Sequence, residues 1–200
     1  MSLTLASRYQ PALVALHWLL ALMIIGLLSL GFFVLAQMPN TDPRKLDILV
    51  WHMSGGIVVL VLMILRLIIR RWSVRPAAAT TGSPQLDRLA SIAHYSLYVI
   101  VFLMIASGWA TGWLISGVFL PNGEALPDSF AVLPTFQAHA ALATLLAVLM
   151  AAHVAAALYH QLVLKDGLFQ RMWFGQRSLA PAETSEEWSQ TVSPAARKMQ

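Results

Sequence analysis

The chain contains no cysteine. Disulfides, thiolate metal centres, cysteine-ligated iron–sulfur clusters and covalent haem attachment through a C-x-x-C-H motif are therefore excluded. Charge is scarce as well: 11% of the 200 residues are charged, against about 25% in a soluble domain. No glutamate falls within the long apolar stretches, no glycine-rich phosphate or dinucleotide motif is present, and no internal repeat is visible. What remains is apolar, with 58% hydrophobic residues and a mean hydropathy of +0.68. The solvent implied is lipid, nucleic acid is not an expected partner, and the length suits one domain.

Four apolar stretches stand out, from about Pro11 to Ala36, Ile48 to Ile69, Ala90 to Val118 and Phe136 to Leu164. Each has the ~20 residues a helix needs to cross a bilayer. The first is too long for a secretory signal, contains His17 and has no clear small-x-small cleavage site before the polar turn Gln37–Asp42, so it reads as an uncleaved span. The expected fold is all-α, an integral membrane four-helix bundle. Residues 1–175 make the transmembrane domain and residues 176–200 a polar, disordered tail. Between the spans lie a Pro/Asn/Asp turn from Gln37 to Asp47, a basic linker from Arg70 to Arg88, and an irregular stretch from Pro121 to Pro134 with a short interfacial segment around Phe130 to Leu133. After Gly167, Phe169, Met172, Trp173 and Phe174 lie near Arg171 and Arg177, as in a membrane-surface segment.

Lysines and arginines set the orientation. Arg8, then Arg66, Arg70, Arg71, Arg75 and Arg88, then Lys165, Arg171, Arg177, Arg197 and Lys198 fall on one side, against only Arg44 and Lys45 on the other. Both termini are expected to be cytoplasmic, with the loops 37–47 and 121–134 facing outward.

All six histidines, His17, His52, His94, His139, His153 and His160, lie in or at the ends of the spans. An ionisable group in a membrane span is by default a functional candidate. A single such histidine is equally well read as a neutral imidazole bonded to another helix; six at matched depths are a pattern. His139 and His153 are ~21 Å apart along the fourth span and within about 40° of one face. His52, near the outer start of the second span, is level with His139; His17, about two turns into the first, is level with His153. Two bis-histidine pairs at opposite sides of the membrane suit two haems b, with His17 and His153 as axial iron ligands of an inner haem and His52 and His139 of an outer one. Such ligation saturates the iron and favours electron transfer. Zinc and di-iron sites call for Cys or carboxylate ligands that the spans lack.

Other residues carry weaker signals. His94 competes with His17 for the inner haem but lies about one turn closer to water, so it ranks second. His160, seven residues past His153 and ~10 Å nearer the cytoplasm, cannot share that haem. It either anchors the helix end, holds a quinone oxygen or passes protons. Gly55, Gly56, Gly108 and Gly112 make room either for a macrocycle or for close helix packing. Arg66 lies deep enough to meet a haem propionate, whereas Arg70 and Arg71 read as positive-inside anchors. Trp18, Trp51, Trp109, Trp113 and Trp173 fit aromatic belts. Arg44 and Lys45, the only outward cations, either attract an anion or form a solvated loop pair beside Asp42 and Asp47.

His17-Trp18, His52-x-x-Gly55-Gly56, Arg66-x-x-x-Arg70-Arg71 and His139…His153…His160 followed by Lys165-Asp166 resemble the bacterial di-haem cytochrome b561 family over about residues 8–175. The cytochrome b subunits of membrane hydrogenases and formate dehydrogenases are similar in plan. The resemblance implies a multi-pass protein of the bacterial inner membrane with ligand pairs shared between the first and fourth and the second and fourth helices. For stand-alone members it implies a superoxide oxidase activity, with electrons passing from periplasmic superoxide through two haems to ubiquinone. The alternative is a membrane anchor that carries electrons between a partner dehydrogenase, hydrogenase or soluble cytochrome and the quinone pool. The short loops favour the stand-alone reading. The quinone is expected on the cytoplasmic side, beside the inner haem and near His160. No residue is singled out as catalytic.

Overall fold

The computed structural model of the protein describes residues 4–74, 76, 84–116, 126–176 and 178–181. Helix α1 runs Pro11–Leu30, with Pro11 in the first turn, where its missing N–H costs nothing, and widens into a π turn over Gly31–Leu35. Helix α2 spans Lys45–Trp72 and carries Asp47 in its first turn and Arg70 and Arg71 in its last, each sign complementing the local end of the helix dipole. Helix α3 covers Pro84–Leu114, and α4 covers Pro134–Tyr159 and widens at His160–Leu164. All four are long and apolar enough to cross a membrane. The expected short segment is a 3₁₀ turn at Phe130–Val132. Residues 117–125, which include the start of that connection, lie outside the described residues.

The bundle is built from neighbours in sequence: α1 packs on α2, α2 on α3 and α3 on α4, while α4 makes no comparable backbone contact with α1 or α2 among the described residues. A core of Leu20, Val59, Met63, Val101 and Leu146 fills the middle. Leu146 lies seven residues from both His139 and His153, so this apolar layer separates two levels of the bundle. The outer surface is apolar, with Leu22, Phe33, Val61, Val148 and Leu162 all exposed, an area far beyond what water tolerates and the natural complement of lipid.

One end of the bundle is closed by the chain termini. Strand β1 (Thr4–Ala6) pairs antiparallel with β2 (Leu179–Pro181), Leu5 opposite Ala180. The polar segment read as disordered from residue 176 therefore begins with a paired strand; residues 182–200 lie outside the described residues. Lys165 and Gly167 adopt left-handed φ of 51° and 70° and turn the chain into the short helix α5, Leu168–Arg171. Glycine suits the second position because it has no Cβ to clash.

Candidate functional site

At the end away from the termini, His52 of α2 and His139 of α4 face each other, with ring centres 6.2 Å apart and ring planes at 80°. His139 Nδ1–H donates to the Met104 carbonyl at 3.1 Å, and the Ser107 hydroxyl, which donates to the same carbonyl, lies 3.1 Å from that nitrogen. A carbonyl only accepts, so the proton sits on Nδ1 and the Nε2 lone pair is free for a metal. Gly108 of α3 makes this possible: a Cβ there would stand 2.9 Å from His139 Cε1. Gly112, one turn on, makes way for the Met53 methyl, and Gly55 for Leu27, whereas Gly56 faces open space. The Gly108-x-x-x-Gly112 pair thus seats an imidazole and a thioether rather than another backbone. His52 Nδ1 is buried without a partner among the described residues, which is costly unless a bound group satisfies it.

At the terminal end, His17 of α1 and His153 of α4 have ring centres 6.3 Å apart. His94 of α3 approaches the same His153 at 5.4 Å and donates Nδ1–H to the Ala90 carbonyl at 2.8 Å. Arg66, beside this cluster, donates to the Leu13 carbonyl at 2.8 Å and the Tyr98 hydroxyl at 3.1 Å.

A metal–imidazole bond is ~2 Å, and the ring centre lies about one ångström behind the nitrogen, so two imidazoles on opposite faces of one ion have ring centres ~6 Å apart. The His52–His139 and His17–His153 separations fit this span, and His94–His153 falls short of it. Both fitting pairs join α4 to a helix with which its backbone makes few close contacts among the described residues. The depth matching in the sequence had paired the same residues. Among the described residues no group of three or more His, Cys, Asp or Glu converges as a bare metal site requires.

Other candidates fall differently. His160 has no ring contact with either pair among the described residues, and its Nδ1 bonds Asp166 Oδ2 at 2.5 Å, while Asp166 Oδ1 accepts from Leu168 N at 3.0 Å. The hydrogen bond from His160 holds the Asp166 carboxyl below its ordinary pKa. Arg44 is solvated and forks onto Asp42 at 3.0 and 3.2 Å, which lowers the Asp42 pKa. Lys45 is not the solvated neighbour expected: it is 5% exposed, donates to the Met38 carbonyl at 2.5 Å and lies 5.3 Å from the Phe130 ring centre. Trp18 is not a belt residue either. Its ring packs edge-on to His17 and to Trp173, and its Nε1–H donates to Met172 O at 2.9 Å. The adjacency His17-Trp18 was the only sequence hint of that role.

A membrane four-helix bundle with facing imidazoles at two depths defines a b-type membrane cytochrome. The family model for prokaryotic cytochrome b561 matches residues 8–175, and the chain belongs to that family. It is 28% identical to a probable superoxide oxidase CybB of Yersinia pestis, over 82% of this chain and 95% of that protein. It is 27% and 28% identical to the Escherichia coli K12 cytochrome b561 homologs 2 and 1, over 82% and 83% of this chain and 90% and 97% of theirs. It is thus a multi-pass bacterial membrane protein of electron transfer, in a family that binds haem b.

Proposed function

We propose that the protein holds two haems b and passes electrons from superoxide at its outer face to ubiquinone on the cytoplasmic side of the inner membrane. The observation that carries this reading is the pair of imidazole couples spaced for one iron each, ~21 Å apart along α4. The probable superoxide oxidase among its relatives supports the donor, and the arginine and lysine bias supports cytoplasmic termini.

His52 and His139 would hold the outer haem, and His17 and His153 the inner one. Bound there, each haem would supply a one-electron couple. The protein residues do the rest. Met104 and Ser107 fix the His139 tautomer, Trp18 holds the His17 ring, and the Leu20–Leu146 layer keeps water from the path between the levels. Lys45 leaves a buried positive charge two turns from His52, with no carboxylate paired to it among the described residues, which favours an approaching anion. Two superoxide ions give up one electron each and leave as dioxygen. Ubiquinone takes both electrons with two protons and becomes the quinol. His160, held by Asp166 at the proposed cytoplasmic surface, passes those protons or holds a quinone oxygen.

The test is the purified full chain in detergent with enzymatically generated superoxide. The expected result is reduction of the haem bands, followed by reoxidation when ubiquinone is added. Haems that dithionite reduces but superoxide leaves oxidised would turn the reading to the partner-fed membrane anchor.

A further inference from the structure

The second and fourth helices keep one interval. His52 and Arg66 are 14 residues apart on α2, as His139 and His153 are on α4, and both stretches are helical throughout. Fourteen residues give ~21 Å of rise and return to within about 40° of one face. Each helix therefore presents one group at each level of the bundle. On α4 both groups are imidazoles; on α2 the inner one is a guanidinium. Arg66 is half-buried and held from two sides. Its Nη1–H donates to the Leu13 carbonyl at 2.8 Å and its Nε–H to the Tyr98 hydroxyl at 3.1 Å. Leu13 precedes His17 by four residues in α1, so this carbonyl is the one that the His17 backbone N–H meets in an α-helix. Tyr98 follows His94 by one turn in α3. The charge is thus fixed beside the inner imidazoles, and no carboxylate pairs with it among the described residues.

Anchoring the helix end does not need a cation at this depth, because Arg70 and Arg71 stand in the last turn of α2. A charge held within a span is costly and calls for a use. The outer level is built differently. Around His139 stand the Met104 carbonyl, the Ser107 hydroxyl and Gly108, all neutral, and Lys45 lies two turns beyond His52, ~10 Å further along the axis.

We propose that Arg66 is the residue that makes the inner haem the better electron acceptor of the two. The inference rests on the two-haem reading above and goes beyond it by giving the path its direction. Reducing a haem adds one negative charge at its iron, and burial and nearby groups tune the potential. A fixed cation away from water favours the reduced form. The step concerned is one electron moving inward, which oxidises the outer iron, reduces the inner one and breaks no bond. For a unit charge about one helix diameter (~10 Å) away, at an effective dielectric of about 20, the equilibrium of that step moves roughly tenfold. Tyr98 and Leu13 keep the guanidinium from snorkelling to water, where screening would remove the effect.

The test is a spectroelectrochemical titration of the haem-loaded full chain in detergent, with Arg66→Gln, Arg66→Lys and Tyr98→Glu beside the parent. Each is repeated with His139→Ala, which leaves the inner pair alone and identifies its midpoint. We expect Arg66→Gln to lower the inner midpoint alone, by about 59 mV for a tenfold change in a one-electron equilibrium. Arg66→Lys keeps the charge and should stay near the parent. Tyr98→Glu keeps the arginine but sets a carboxylate against it, and should lower the inner midpoint as Arg66→Gln does. An inner midpoint unmoved in Arg66→Gln would overturn the inference, as would equal shifts of both haems. So would a fall in Arg66→Lys as large as in Arg66→Gln, which would make the hydrogen bonds the cause. If Arg66→Gln takes up only the outer haem, Tyr98→Glu decides. A lowered inner midpoint there upholds the inference, and a parental one assigns the arginine to holding the haem. Mediators set the potential, so superoxide plays no part. Parental haems that titrate in two steps but stay oxidised with superoxide would sink the donor reading alone, with Arg66 still judged by its variants. A parent with a single midpoint and one haem per chain would overturn both.

Discussion

His139 is the residue on which most of the outer site depends, because α3 is shaped around it. It takes its tautomer from Met104 and Ser107 of α3 and its space from Gly108 of the same helix. His139→Ala should therefore remove the outer haem and leave the inner one, while His153→Ala should do the reverse; difference spectra of the two variants show which band is lost. Gly108→Ala is the subtler case. In an ordinary helix this change gains about 0.5–1 kcal/mol, but here the new methyl overlaps the imidazole, and overpacking costs about 1–3 kcal/mol. The expected outcome is a low-spin signal that is weakened or shifted for one haem only. Gly56→Ala, which meets open space, should leave both spectra intact. A Gly108→Ala protein with parental spectra would mean that His139 is not held where the structure puts it.

At the scale of elements, the terminal cap is held by a few specific bonds rather than by area. Trp18 of α1 bonds Met172 just after α5, Arg8 reaches the Gln170 carbonyl, and β1 pairs with β2. Trp18→Phe keeps the ring contact with His17 and deletes one hydrogen bond, a loss of about 1 kcal/mol. Faster hydrogen exchange over residues 168–174 with both haems retained is the expected result. The His160–Asp166 bond adds a pH dependence. Because the Asp166 pKa is lowered in the folded state, its contribution is complete above the ordinary carboxylate range and is lost as pH falls through the lowered value. Acidification through the lowered Asp166 pKa should loosen α5, followed by proteolysis or exchange, whereas Asp166→Asn should show the looser cap at neutral pH and little further change on acidification.

For the whole molecule, the proposed reading predicts two haems per chain, both six-coordinate and low-spin, and a pyridine haemochrome assay counts them directly. One haem per chain would leave one pair without a role. The orientation is also a property of the whole chain. Reporter fusions at Gln200 that are active only when exported should be silent, since the cationic segments flank that end of every span.

Much of this was legible in the chain because a bilayer imposes simple rules. Length and hydropathy dictate spans, lysine and arginine bias dictates which way they run, and helical rise assigns each histidine a depth. The levels of His17 with His153 and His52 with His139 follow from that alone. What depth cannot supply is direction around the bundle. That choice belongs to packing: it separated His17 from His94 by the distance each keeps from His153, gave Gly108 to His139 and Gly55 to Leu27, buried Lys45 under Met38 and Phe130, and turned Trp18 inward to Met172. Pairing of chain ends 171 residues or more apart, as in the β1–β2 ribbon, is likewise invisible to any local pattern, since it rests on the return of α4 to the end where α1 began.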